Sequence, residues 1–474
     1  MTERRERVAL GVITLIAALA RLVSLRQPMR FDESVSWAYY VGRPWSTVVG
    51  TYLQPNNHVL YSLLAKLAAM PAGYAPWALR LPAFVAGVAI VPLVWMVARR
   101  LTDPSTALLA AALAAGSTPL ALYSTNARGY SLLVVIFLAM LLMVDELRRD
   151  PSPTRWALLA VLGALGLYDI PVMLYPLGVV LTWYVLGALR LPGDGRRRAL
   201  GEMFVAVGLT LAVAGVLYAP IIASSGIAPI IGNKFVASST WEQFAGELPR
   251  MLLSTLATWT SPLPVWSTPI VVLVAWIGYR ARADGDRPPL APAIATWCLL
   301  LLLAMHRAPF TRVWLFLLPL YLIAVARGLR LLVERWMQRG AAIREWVAVG
   351  VAIALATGLV VTRAVEQSDE TGAFPTAREV AALLGPRLGE TDRVLAPIPA
   401  IGPLLYYFPM AGLDSAALTR PVKSGARAFL VLDRRYGQTL TWASQNGVTP
   451  PGQFTTPVLI ARFGDVDVYE ASAR

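Results

Sequence analysis

The chain has 474 residues, of which 57% are hydrophobic and only 15% charged. Soluble globular chains carry roughly 25% charged residues, so this composition excludes an ordinary soluble domain and places the chain in the membrane class. The formal net charge of +14 sits in arginine-rich segments between apolar runs, which is a signature of membrane topology rather than of nucleic-acid binding.

The N-terminal "TERRER" leads into an apolar run over 8–25 that ends in "RLVSLRQ". No small-residue cleavage site follows, so the run reads as a retained first span and not as a signal peptide. A spanning helix needs about 20 mostly apolar residues. Further candidates are 80–98, 105–122, 129–147, 155–168, 171–189, 201–223, 263–279, 289–305, 312–329 and 345–363, which makes about eleven spans in all. The segment 57–70, "NHVLYSLLAKLAAM", is apolar but short and contains Lys66. It is either a further span or a helix lying at the interface.

Charge decides between these. With 57–70 at the interface, the segments "TERRER", "RRLTDPS", "DELRRDPSPTR", "RLPGDGRRR", "RARADGDR" and "RLLVERWMQRGAAIR" all fall on one side. Basic residues concentrate in cytoplasmic loops, so that side is inside and the N-terminus is cytoplasmic. The short loops "YSTNAR", "YDIP" and "HRAPFTR" fall outside, with the longer loops 26–79 and 224–262. Making 57–70 a span reverses every later loop. The stretch "TWEQFAGELPRMLLSTLATW" within the second long loop reads as another interfacial helix.

Residues 1–365 form the membrane domain on this reading, and 366–474 form a small extracytoplasmic α/β domain. "TAREVAALLGPRL" is helix-like there, "RVLAPI" and "ARAFLVLD" are strand-like, and "PVLIARFGDVDVYEA" reads as a hairpin turning near Gly464. The single Cys298 excludes an intrachain disulfide and a cysteine zinc cluster, and His58 and His306 leave little for a histidine metal site. The sequence names no cofactor; a divalent metal stays open.

Chemistry-bearing residues gather in the outer segments. "RFDESVSWAYY" sets Asp32 beside Glu33 just after the first span. The pair is a candidate catalytic group, or else a solvated pair at a helix start. Arginine offers a planar fork that matches phosphate oxygens. Arg128, Arg307 and Arg312 stand out in the short outer loops, with Lys66 and Arg80 near the first. Asn57 and His58 in "PNNH", Tyr130 in "ARGY" and Asp169 in "LYDIP" are the remaining polar candidates, Asp169 reading either as a second active-site carboxylate or as a turn former before proline.

The Asp-Glu pair followed by interfacial helices resembles the GT-C superfamily of membrane glycosyltransferases, in the branch of protein O-mannosyltransferases and lipid A aminoarabinose transferases. "QPNNHVLYSLLAKL", "ALRLPAFVAG", "YSTNARGYSLL" and "RAPFTRVWLFLLPLYLIAVARGL" are similar to further family segments, in the same order, over roughly 1–365. The chain departs from that pattern in two places. "LYDIP" lacks the histidine that some relatives place after a tyrosine, and "STNAR" has Asn126 where others carry an acid.

The alanine-, arginine- and leucine-rich composition suggests a bacterium of high genomic GC, and the resemblance implies an inverting transferase of the plasma membrane. It would move a hexose or pentose from a polyprenyl-phosphate donor to a hydroxyl of a glycan, lipid or protein acceptor on the outer face. Asp32 would be the general base and Glu33 its orienting neighbour. Arg128, Arg312, Arg307 and Lys66 would meet the donor phosphate, and His58, Asn57, Tyr130 and Asp169 would meet acceptor or sugar. The competing class is a transporter or flippase for a lipid-linked glycan. Such proteins commonly show internal repeats and mid-membrane charges, whereas here the spans are nearly free of acids.

Overall fold

A computed structural model describes residues 3–54, 56–232, 238–281, 289–334 and 341–474. The expected loops "RARADGDR" and "RLLVERWMQRGAAIR" lie largely outside those residues. The chain divides into two compact units: Met1–Leu25 with Trp45–Val365, and Arg26–Pro44 with Glu366–Arg474.

The first unit is helical. Six described helices are long and apolar enough to cross a membrane, or up to eight if each of two bent pairs forms one span. Every apolar run picked from the sequence is helical, but several of the helices are too short to count by length alone. Pro153–Asp169, Leu290–Met305 and the described stretch Trp346–Val361 are examples. One bent pair joins Pro104–Gly116 to Thr118–Ser124 at 59°. The other joins Trp241–Thr260 to Val265–Arg280 at 101°, so the tryptophan-bearing helix runs almost perpendicular to its successor. Thr240 starts it: the Thr240 hydroxyl accepts from the Gln243 amide, and the Gln243 side chain accepts from the Thr240 amide. The stretch 57–70 is the short helix Val59–Ala69.

Membrane helices lack a hydrophobic drive toward one another and rely on close packing of small residues. Helices Thr268–Arg280 and Leu318–Glu334 show this. A Cβ on Gly278 would lie 2.0 Å from the Ala324 carbonyl oxygen, and one on Gly328 would lie 2.0 Å from that of Val274. Arg21, near the end of the first helix, is fully buried. Its guanidinium donates to the carbonyls of Ala17, Ala114 and Ala115 and to the Ser124 hydroxyl, the kind of compensation a buried charge requires.

The second unit carries a four-stranded sheet: β1 (Arg393–Leu395), β2 (Arg427–Asp433), β3 (Val458–Phe463) and β4 (Val466–Ser472), in the order β1-β2-β4-β3. β1 runs parallel to β2 and the other pairs are antiparallel. β3 and β4 form the expected hairpin, and Gly464 turns it at φ +57, a conformation glycine adopts without steric cost. Helices Phe31–Ser36, Ala377–Leu384, Ile401–Met410 and Leu440–Gln445 belong to the same unit.

The sequence suggests one boundary near residue 365. The fold instead groups Arg26–Pro44 with the C-terminal residues. The cause is backbone pairing: Phe31 donates to the Gly372 carbonyl at 2.8 Å and Asp32 to that of Thr371 at 3.3 Å.

Candidate active site

The candidate residues fall into two groups, one in each unit. In the second unit, helix Phe31–Ser36 presents Asp32 and Glu33, both buried. The Glu33 carboxylate accepts from the Arg30 backbone N–H at 2.9 Å and so closes the helix start. The helix runs directly into a π-helical turn, Trp37–Val41; such wide turns are rare and are often found at functional sites. Trp37 packs edge-on against Tyr406, with ring centroids 5.0 Å apart.

In the first unit, His58 precedes helix Val59–Ala69 and is fully buried. The Gly129 amide donates to its Nδ1 at 2.9 Å. The Arg128 guanidinium faces its Nε2, with Nε at 3.2 Å and Nη2 at 2.8 Å. A neutral imidazole accepts at one nitrogen only, so the ring cannot serve both donors. Burial, then the charges of Arg128 and Arg312, hold the His58 imidazolium well below its ordinary range, and the ring stays neutral.

Tyr130 closes one side, its ring 5.2 Å from that of His58 and 5.6 Å from the Arg128 guanidinium. Asp169, at the end of helix Pro153–Asp169, accepts the Tyr61 amide at 3.0 Å through Oδ1. Its Oδ2 has no hydrogen-bond donor in range among the described residues. Gly129 makes room for this carboxylate, since a Cβ there would lie 2.2 Å from Oδ2.

The structure thus brings His58, Arg128, Tyr130 and Asp169 together, within reach of the Arg312 charge. Asn57 next door is a brace: its amide donates to the Val48 and Thr51 carbonyls and its oxygen accepts from Ser62. Lys66 packs over the rings of Trp45 and Tyr74, 5.2 and 5.6 Å from their centroids. Arg312 stacks on Phe310 at 4.7 Å, and Arg307 lies partly exposed in the same connection. Asp32 and Glu33 belong to the other unit. Among the described residues no three His, Cys, Asp or Glu side chains gather where a metal ion could sit.

Sequence reasoning passed over Tyr52, Tyr61 and Gly129. The Tyr52 phenol is pushed up to about 12, by burial foremost, with Arg128 pulling it down and Tyr130 and Asp169 pushing it up. Nothing in the local pattern marks Tyr52, and Tyr61 acts through its backbone. Only the "RGY" glycine was a visible signal.

Residues 56–222 match the family model described as dolichyl-phosphate-mannose-protein mannosyltransferase. No curated protein sequence matches the chain. Two solved structures of ArnT from Cupriavidus metallidurans share its fold. The apo form superimposes with a TM-score of 0.62 and the form bound to undecaprenyl phosphate with 0.61, each at 12% identity over 97% of both chains. The shared architecture runs through nearly the whole chain, and the mannosyltransferase match falls on the segment that holds His58, Arg128 and Asp169. Residues 56–222 thus resemble dolichyl-phosphate-mannose-protein mannosyltransferases, and the chain as a whole has the fold of ArnT.

Proposed function

We propose that the chain is an inverting glycosyltransferase that moves a sugar from a polyprenyl-phosphate donor to an acceptor hydroxyl at the outer face of the membrane. The observation that carries the reading is the buried Arg128 guanidinium set directly against the buried His58 ring, with the Arg312 charge adding to the push that keeps that ring neutral. Cations gathered in a buried polar site favour an anion there. A phosphate oxygen accepts two guanidinium hydrogens side by side, whereas a ring nitrogen has one lone pair to offer. The likeness to a protein crystallised with undecaprenyl phosphate supports a lipid phosphate as that anion.

Asp32 is the general base. As the acceptor oxygen bonds to the anomeric carbon, its proton passes to the Asp32 carboxylate. The bond from that carbon to the phosphate oxygen breaks and the electron pair leaves with the lipid phosphate. Charge grows on that phosphate during the step, so preplaced arginines stabilise the transition state more than the bound donor. His58 keeps Arg128 oriented, and Asp169 lies beside them against Gly129.

The test uses purified protein in vesicles with radiolabelled polyprenyl-phosphate hexose and pentose, and native envelope as acceptor. Label in the acceptor is expected. Label carried across the bilayer with the lipid phosphate still attached would establish the transporter reading instead.

A further inference from the structure

The second unit contains an arrangement whose only evident product is the placement of Asp32. The turn formed by residues 366–372 wraps the chain just before the acid. The Arg30 guanidinium, buried, donates to the carbonyls of Ser368 at 2.7 Å, Glu370 at 2.9 Å and Glu366 at 3.4 Å. The Phe31 and Asp32 amides then donate to Gly372 and Thr371. On the other flank, Tyr407 of helix Ile401–Met410 accepts the Met29 amide at 3.2 Å. Four consecutive residues, from Met29 to the acid, are therefore tied to residues more than three hundred places away.

Two glycines press on the same point. A Cβ on Gly402 would lie 2.6 Å from Phe31 Cδ2, 2.9 Å from Phe31 Cα and 3.0 Å from its carbonyl oxygen. A side chain could swing away, but Phe31 Cα belongs to the backbone that enters Asp32. Gly372, at φ +74, would place a Cβ 2.7 Å from Phe31 Cβ. Between them Thr371 is buried at φ +69, a left-handed conformation that a β-branched residue adopts only when its surroundings enforce it. Its carbonyl receives the Asp32 amide. The clamp is itself braced by the sheet: Arg435, paired with Asp433 at the end of β2, donates to the Ala373 carbonyl at 3.0 Å, and the Tyr436 hydroxyl donates to it at 3.2 Å.

We infer that the C-terminal α/β unit is a positioning device for the Asp32 carboxylate, with Gly402, Gly372 and Tyr407 as positioning residues acting through Phe31 and Met29. This rests on Asp32 being the base. Misplacement of a reacting group by about 1 Å costs up to about 100-fold in rate.

The experiment compares wild type, Gly402→Ala, Tyr407→Phe, Arg462→Ala on the exposed side of β3, and Asp32→Asn. For each, turnover with the labelled donors is measured beside the affinity and stoichiometry of undecaprenyl phosphate binding. Hydrogen–deuterium exchange at residues 29–36 is read in parallel. Gly402→Ala is expected to lower kcat about 10- to 100-fold with affinity and stoichiometry unchanged, and to speed exchange at Phe31 and Asp32. Tyr407→Phe, which leaves the backbone room intact, is expected to lower kcat about 2- to 10-fold. Arg462→Ala stays at wild type. A Gly402→Ala protein that keeps the wild-type kcat and exchange, beside an inactive Asp32→Asn, overturns the positioning role alone. A loss of lipid-binding stoichiometry in step with activity also overturns it, because that reports misfolding. Wild-type turnover by Asp32→Asn overturns the assignment of the base.

Discussion

At the scale of single residues, Asp32 and Arg128 make opposite demands on substitution. Asp32→Asn keeps the shape and removes the proton acceptor, so transfer should fall by about 10²–10⁴-fold while the lipid phosphate still binds. Arg128→Ala and Arg312→Ala should weaken donor binding as well as turnover. Lysine replacements should recover only part of both, since they keep the charge and lose the fork; lipid-phosphate titrations of all four variants check this. His58 supplies a pH test. Its folded-state proton affinity is depressed, whereas the unfolded chain takes up the proton near about pH 6.5. Below that value the unfolded state holds more protons, so stability present above it is lost as pH falls toward the folded-state value. Melting followed by tryptophan fluorescence should therefore fall progressively as pH drops below about 6.5, and His58→Gln should shrink the drop. Asp32, Arg128, His58 and Asp169 were all legible as single letters, because charges are conspicuous in an apolar chain. Which of them meet was not legible: the contact of His58 with Gly129 and Arg128 spans some seventy positions and leaves no local pattern.

At the scale of elements, the glycines separate contact from propensity. Gly129→Ala drives a Cβ into the Asp169 carboxylate and should cost about 1–3 kcal/mol, measured by thermal or chemical unfolding in detergent. Gly246→Ala, inside helix Trp241–Thr260 with nothing within 4 Å of the added carbon, should be neutral or stabilising by up to about 1 kcal/mol. A loss at Gly246 equal to that at Gly129 would show that helix propensity, not the Asp169 contact, decides both. The helices themselves were readable from hydropathy, and the β3–β4 hairpin from the alternation on either side of Gly464. Less readable were the breaks. The bend after Gly116 and the turn at 261–264 interrupt apolar runs that hydropathy alone treats as uniform, which is why a count by length falls below the count by composition.

At the scale of the molecule, the arginine distribution predicts a cytoplasmic N-terminus, with the loop after the first span and the C-terminal unit both outside. In a Cys298→Ala background, Ser46→Cys and Ser424→Cys, both at exposed positions, should react with an impermeant maleimide on intact cells. Labelling of either only after lysis would reverse that side. What the sequence concealed at this scale is the membership of Arg26–Pro44. Its ties to residues 366–372 run through main-chain carbonyls, which every residue type provides, so composition and periodicity are blind to them.

The same ties have a consequence for the making of the protein. Arg30 and Ser368 are 338 positions apart, and Met29 and Tyr407 are 378 apart. At ribosomal speed the N-terminal partner waits on the order of tens of seconds for the other. Loops this long close late and slowly. The acid helix is therefore among the first parts of the chain to be made and among the last to be seated. A nascent chain stopped after Val365 lacks the distant residues that hold Met29, Arg30, Phe31 and Asp32 in place, so the acid helix is seated only once residues 366–407 have been made.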